Sequence, residues 1–139
     1  MADITGVRRS TPAGGMMATV LYIDDEAPIR RAVRSWLTRK GHVVHEAENA
    51  ATARALLEAQ ADHLDGVFID VRIGGESGVE LFAWIEDRLP RLATRVAWVT
   101  GDHFETPAPT EAYHHPVFRK PFELPALEAQ ATRWGATAG

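Results

Sequence analysis

Two short apolar runs stop on acids: Leu21-Tyr22-Ile23 ends at Asp24-Asp25, and Gly66-Val67-Phe68-Ile69 ends at Asp70. Runs of this kind suit strands buried on both faces, which require a parallel sheet covered by helices above and below. If the two strands are neighbours, three carboxylates meet at one sheet edge, where open α/β sheets place ligands. Two later runs finish on other reactive groups, Val96-Ala97-Trp98-Val99 on Thr100-Gly101 and Val117-Phe118-Arg119 on Lys120-Pro121. The ordered set Asp-Asp, Asp, Thr, Lys-Pro constrains the chain more than any composition figure.

Helical patterns separate these runs. From Glu26 to Lys40, Ile29, Val33, Trp36 and Leu37 recur at helical spacing with arginines between them, and Gly41 marks a stop. His42 to Glu46 is short and β-branched, and Asn49 is placed to cap an alanine-rich helix running to about Gln60. After Asp70 a loop carries Gly74, Gly75 and Gly78; Val79, Leu81, Phe82 and Ile85 then mark a helix that Pro90 closes. Pro107, Pro109 and Pro116 leave the fourth helix short or degenerate, whereas Leu124, Leu127, Ala131 and Trp134 define a fifth ending at Gly135. Five such units predict a flavodoxin-like fold: a doubly wound, five-stranded parallel sheet with helices on both faces. Trp84, Trp98 and Phe82 belong to its core on this reading.

A chain of 139 residues fits one domain. The expected division is a flexible N-terminal arm over 1–17, a folded domain over 18–134 and a tail over 135–139. No stretch reads as a signal peptide or membrane span, so the expected location is cytoplasmic, with no membrane partner. The formal net charge of −4 gives no global basic field for nucleic acid, although Arg30, Arg31, Arg34, Arg39 and Lys40 concentrate positive charge in one helix. With no cysteine, any metal must be held by oxygen or imidazole. His103, His114 and His115 lack partners at ligand spacing and read as loop histidines, and the loop glycines lack the lysine of a P-loop.

Asp24, Asp25 and Asp70 crowded together would repel one another unless a cation sat among them. Oxygen-only ligands favour magnesium, which would neutralise an incoming phosphoryl group and leave one aspartate oxygen free for in-line attack. Lys120 and Thr100 would then donate to the remaining phosphoryl oxygens.

Tyr22-Ile23-Asp24-Asp25-Glu26 with Pro28 and Arg30, the Asp70 to Gly78 loop, Thr100-Gly101 and Lys120-Pro121-Phe122 together resemble the receiver domain of bacterial two-component response regulators, over about Ala18 to Trp134. The resemblance implies that Asp70 is the phosphoacceptor and that Asp25, Asp70 and the Arg72 carbonyl ligate magnesium, with Asp24 acting through a water. Thr100 would be the switch hydroxyl, Gly101 the small residue keeping the site open, and Lys120 the phosphate-pairing lysine. The protein would be a stand-alone signalling switch or a module of a hybrid kinase, phosphorylating and dephosphorylating itself but not a turnover enzyme. Its donor would be a sensor histidine kinase or histidine phosphotransfer protein docking on the Glu26 to Lys40 helix, where Trp36 is either core or contact. The downstream partner is a protein of unspecified identity, and homodimerisation is compatible with the pattern.

Three departures from the family pattern carry expectations. Ile73-Gly74 stands where the family often has Met-Pro, which predicts a looser loop. Arg72, two past Asp70, is expected to tune the lifetime of the acyl phosphate. Val117 replaces the usual aromatic switch residue, while Phe118 faces the other way, so the output face is expected to be rebuilt. The Gly101 to Pro116 segment is the part expected to move on phosphorylation. Two other readings compete: a phosphorylation-independent pseudo-receiver scaffold, and a haloacid-dehalogenase-like phosphatase, which Arg72 disfavours by standing where that family needs a second acid.

Overall fold

The computed structural model describes residues 16–101 and 114–137. The expected N-terminal arm up to residue 15, His103 and nearly all of the proline-rich segment with its degenerate fourth helix lie outside the described residues. Strands β1 (Thr19–Ile23), β2 (Val43–Ala47), β3 (Gly66–Asp70), β6 (Val96–Thr100) and β7 (Val117–Arg119) form one parallel sheet in the order β2-β1-β3-β6-β7. The order reverses between β1 and β3, which leaves a crevice beyond their carboxyl ends. Every residue of β3 and β6 is buried, as strands covered on both faces must be.

Helices α1 (Ala27–Arg39), α2 (Ala50–Gln60), α3 (Gly78–Arg88) and α5 (Leu124–Ala136) supply the covering layers. Two apolar clusters result. One face joins Tyr22, Val33, Leu37, Phe68, Val99, Leu127 and Trp134 between the sheet and helices α1 and α5. The opposite face joins Leu21, Leu57, Ile69, Leu81, Phe82, Ile85 and Trp98 beneath α2 and α3. Trp98 and Phe82 lie in the core as the sequence indicates, whereas Trp84 is only partly buried and carries the Arg88 guanidinium 5.5 Å from its ring.

Local chemistry sets the helix ends. Asn49 accepts the Thr52 N–H at 2.7 Å and Ser77 accepts that of Glu80 at 3.2 Å, so both are N-caps. Pro90 does more than close α3. It opens a one-turn helix, α4 (Pro90–Ala93), because a proline in the first turn leaves no additional donor unpaired. Gly135 does not end α5, which continues to Ala136. A Cβ there would lie 2.6 Å from the Met17 carbonyl oxygen, so the glycine lets the chain entering β1 pass against the helix. Arg95 holds that end by donating to the Trp134 and Thr137 carbonyls at 3.1 and 2.7 Å.

The loop after Asp70 also differs from the sequence expectation. Strands β4 (Arg72–Ile73) and β5 (Glu76–Ser77) pair antiparallel as a hairpin around Gly74-Gly75, with Gly74 at φ +63°. Ile73 is buried, and the Glu76 carboxylate accepts the Ala50 N–H at 2.8 Å. Ile73-Gly74 therefore sits in a hairpin pinned to the core and to the first turn of α2, where the sequence predicts a looser loop.

Candidate functional site

The carboxyl ends of β1 and β3 bring Asp24, Asp25 and Asp70 together as the apolar-acid pattern requires. Glu26, which sequence reasoning left out of the metal set, joins them: one carboxylate oxygen from each of the four lies within 4.8 Å of the others. Asp24 and Asp70 are buried, whereas Asp25 and Glu26 are exposed at the mouth. The site opens into a cleft of about 170 Å³ lined also by Arg72, Gly74, Gly101 and Lys120.

Lys120, just past β7, closes the group. Its ammonium lies 2.7 Å from Glu26 Oε2, 2.8 Å from Asp70 Oδ2 and 2.9 Å from Asp24 Oδ2. Its backbone N–H donates to the Thr100 carbonyl at 2.8 Å, which fixes the lysine to the end of β6. Burial by itself would lower the Lys120 pKa, but its hydrogen bonds to Asp70, Glu26 and Asp24 outweigh burial and raise it, so the ammonium stays charged. Asp70 shows the converse balance. Burial pushes its carboxyl up to about 6, against the opposing hydrogen bonds from Lys120 and from the Arg72 N–H on Oδ1 at 3.0 Å.

Asp24 is held on every side. Its N–H donates to Ala47 O, its carbonyl accepts Arg30 Nη1 at 2.8 Å, and its Oδ1 accepts the Glu26 N–H at 2.9 Å. Its Oδ2 accepts the Tyr22 hydroxyl at 2.9 Å in addition to Lys120. Tyr22 is a second residue the sequence reading missed, although the signal was present: residues two apart on a strand share a face, so Tyr22 and Asp24 point the same way. Burial first, then the Asp24 charge, raises the phenol pKa far above its usual value, which keeps the hydroxyl a donor. Arg30 is anchored in turn by Glu46 at 3.3 Å.

Thr100 ends β6, buried and one residue beyond the Val99 partner of Asp70. Gly101 lines the cleft, where, among the described residues, an added Cβ would meet only the Lys120 side chain, at 3.6 Å. The Arg72 side chain is exposed at the cleft wall while its backbone supports Asp70. Four carboxylates without a nitrogen or sulfur donor fit a hard divalent cation such as magnesium.

Features away from the acids sort out the remaining sequence candidates. Trp36 is half-buried. Its indole N–H donates to Glu128 at 3.1 Å, and Arg39 and Lys40 lie over its ring, so it ties α1 to α5. Of the basic stretch, Arg30 and Arg34 are engaged with Glu46. His115 packs edge-on against Phe82 with ring centroids 5.3 Å apart, which makes it a packing histidine. On β7, Val117 is exposed while Phe118 turns inward to the Phe68 ring at 6.2 Å, as strand alternation predicts. No helix among the described residues is long and apolar enough to cross a membrane.

Comparison with known proteins agrees with this geometry. Among solved structures, the receiver domain of NtrX from Brucella abortus superposes with a TM-score of 0.73 at 28% identity, covering 85% of this chain and 98% of that one. A response regulator receiver protein from Pseudomonas putida gives 0.72 at 26% identity, covering 84% and 97%. Curated relatives are longer proteins. The alginate biosynthesis transcriptional regulatory protein AlgB of Pseudomonas putida is 36% identical over 82 residues, 59% of this chain but 17% of that protein. Protein PetR of Rhodobacter capsulatus is 32% identical over 106 residues, 75% of this chain and 43% of its own length. The family model described as the response regulator receiver domain matches residues 20–132, and the chain belongs to that family.

Proposed function

We propose that this chain is a phosphoacceptor receiver that takes a phosphoryl group from a phosphohistidine onto Asp70, with magnesium held by Asp25, Asp70 and the Arg72 carbonyl. The observation that carries the reading is the Lys120 ammonium, which bonds simultaneously to Asp24, Glu26 and Asp70 and so gathers the ends of β1, β3 and β7 at one point. An unphosphorylated acid cluster needs such a counter-charge, and a phosphoryl group on Asp70 would offer the same ammonium a new partner.

In the transfer, an Asp70 carboxylate oxygen attacks phosphorus in line as the P–N bond of the phosphohistidine breaks, and the departing imidazole keeps the electron pair and takes up a proton. Bound magnesium would supply charge neutralisation at the phosphoryl oxygens. Lys120 pairs with one phosphoryl oxygen and Thr100 donates its hydroxyl to another. Asp24 would act on the ion through a water, and Gly101 leaves room for the group. Arg72 stands at the cleft wall, where its guanidinium governs how readily water reaches the acyl phosphate. A cytoplasmic setting, a histidine kinase or phosphotransfer donor, and a downstream protein partner complete this reading.

The donor docks beside the site, in a groove of about 290 Å³ between α1 and the start of α5 lined by Pro28, Ile29, Ala32, Val33, Lys120, Pro121, Phe122 and Leu124. Its apolar lining fits a helix of the donor better than the arginines of α1, two of which are engaged with Glu46. The test is intact-protein mass after incubation with magnesium and acetyl phosphate. One phosphoryl group, gained only with magnesium and lost in Asp70→Asn, is expected. Folded protein that gains nothing from acetyl phosphate or from a phosphohistidine donor would instead mark a phosphorylation-independent scaffold.

A further inference from the structure

Asp24 is fully buried, yet its Oδ2 carries two donors of different kinds, the Lys120 ammonium and the Tyr22 hydroxyl, each at 2.9 Å. The two donors differ in what they can do next. Lys120 divides itself among three carboxylates and lies at the wall of the open cleft, so it can turn toward a new anion there. Tyr22 cannot follow. Its ring is fully buried in the layer beneath α1 and α5, 6.0 Å from the Phe68 ring, and its hydroxyl meets Asp24 from inside the fold.

When Lys120 turns away, an Asp24 without Tyr22 would keep the Glu26 N–H on Oδ1 but, among the described residues, no protein donor on Oδ2. Such a group resists losing its cation. With the hydroxyl in place, Oδ2 remains bonded and the lysine can leave. We propose that Tyr22 is a positioning residue that holds the Asp24 carboxylate in place from below, freeing Lys120 to pair with the phosphoryl group. This rests on the phosphoacceptor reading above and adds to it the residue that controls how readily the lysine changes partner.

Tyr22→Phe is the natural variant, because it removes the hydroxyl and keeps the ring. Phosphorylation by acetyl phosphate at saturating magnesium is expected to slow about tenfold, the scale of one hydrogen bond to a charged group. The acetyl phosphate concentration at half-maximal rate should be unchanged, since the hydroxyl does not reach the cleft. In an Asp24→Asn background the same substitution should have little effect, because the buried charge it serves is gone. A packing role alone would move neither the maximal rate nor this dependence on Asp24.

The independent readout is the Tyr22 hydroxyl proton, expected as a slowly exchanging proton resonance that disappears in Tyr22→Phe and shifts in Asp24→Asn. An unaltered maximal rate in Tyr22→Phe, an equal loss in both backgrounds, or a hydroxyl resonance indifferent to Asp24 would overturn the proposal. If wild-type protein takes up no phosphoryl group, the phosphoacceptor reading is what fails, and the resonance still decides whether Tyr22 holds Asp24.

Discussion

At the site, four carboxylates gather and one ammonium bonds three of them, and that imbalance governs what single substitutions do. Lys120→Met removes the only cation bonded to Asp70 among the described residues and leaves Asp24 with its hydroxyl and amide donors alone. In metal-free buffer this is expected to cost about 2 kcal/mol or more by chemical denaturation, as breaking a buried ion pair usually does. Asp70→Asn should act oppositely, stabilising the metal-free protein by about 1 kcal/mol near neutral pH, because it removes a carboxylate whose charge burial disfavours. The pH dependence follows from Asp70 itself, raised by burial to about 6 from its ordinary 3.8. A carboxyl raised on folding favours the native state below the unfolded value, and that contribution is lost as pH rises through the folded one. The advantage of Asp70→Asn should thus be absent below pH 3.8, grow between there and about 6, and level off above. Denaturation of both proteins across that window checks it, and an advantage that shrank with rising pH would contradict the burial argument.

Among the elements, the alternation of strand and helix was legible because it is local: the apolar runs of β1, β3 and β6 and the stripes of α1, α2, α3 and α5 lie in contiguous sequence. The hairpin of β4 and β5 was not legible, because it depends on a left-handed Gly74, on Ile73 finding the core and on Glu76 finding the first turn of α2. Sequence distance hid all three. Gly74→Ala should destabilise by about 1 kcal/mol, since φ +63° strains any side chain, while Gly75→Ala should be nearly neutral, having no neighbour within 4 Å and no such angle. Equal effects would mean that the hairpin turn is built differently. His42 was likewise read only as the start of β2. It is buried, and its Nδ1 accepts the Ala18 N–H at 3.0 Å, an acceptor role that needs the neutral ring. Burial lowers its pKa from 6.5, against the raising effect of Glu128. A histidine depressed on folding contributes stability above its unfolded value, and loses it as pH falls through the folded one. The His42 contribution to stability should therefore decline as pH drops below 6.5, opposite in sign to that of Asp70, and His42→Asn, whose side chain does not titrate, should remove it.

Across the whole molecule, the five-stranded sheet joins two apolar layers, and the acid cluster sits at the edge of that sheet. The strands that carry the acids also carry the layers: β1 sends Tyr22 to one face and Leu21 and Ile23 to the other, and β3 divides Phe68 from Val67 and Ile69 in the same way. Asp24 and Asp70 were readable as strand ends, yet their enclosure was not, since Tyr22, Arg30 and Lys120 close around Asp24 only after β1, α1 and β7 have come together. A cation that binds the folded acids and not the unfolded chain stabilises the native state by mass action, about 1.4 kcal/mol for each tenfold excess over its dissociation constant. Because both layers hang on the same strands, that gain should be shared by the entire fold. Trp98 reports one layer and Trp134 the other. With tryptophan retained at only one of these positions at a time, and phenylalanine at the other three, thermal unfolding should give coincident transitions. Magnesium should raise both by the same free energy, and Asp25→Asn should blunt both responses. Unequal shifts would show that the layers unfold separately and that the cation at the sheet edge steadies only one of them.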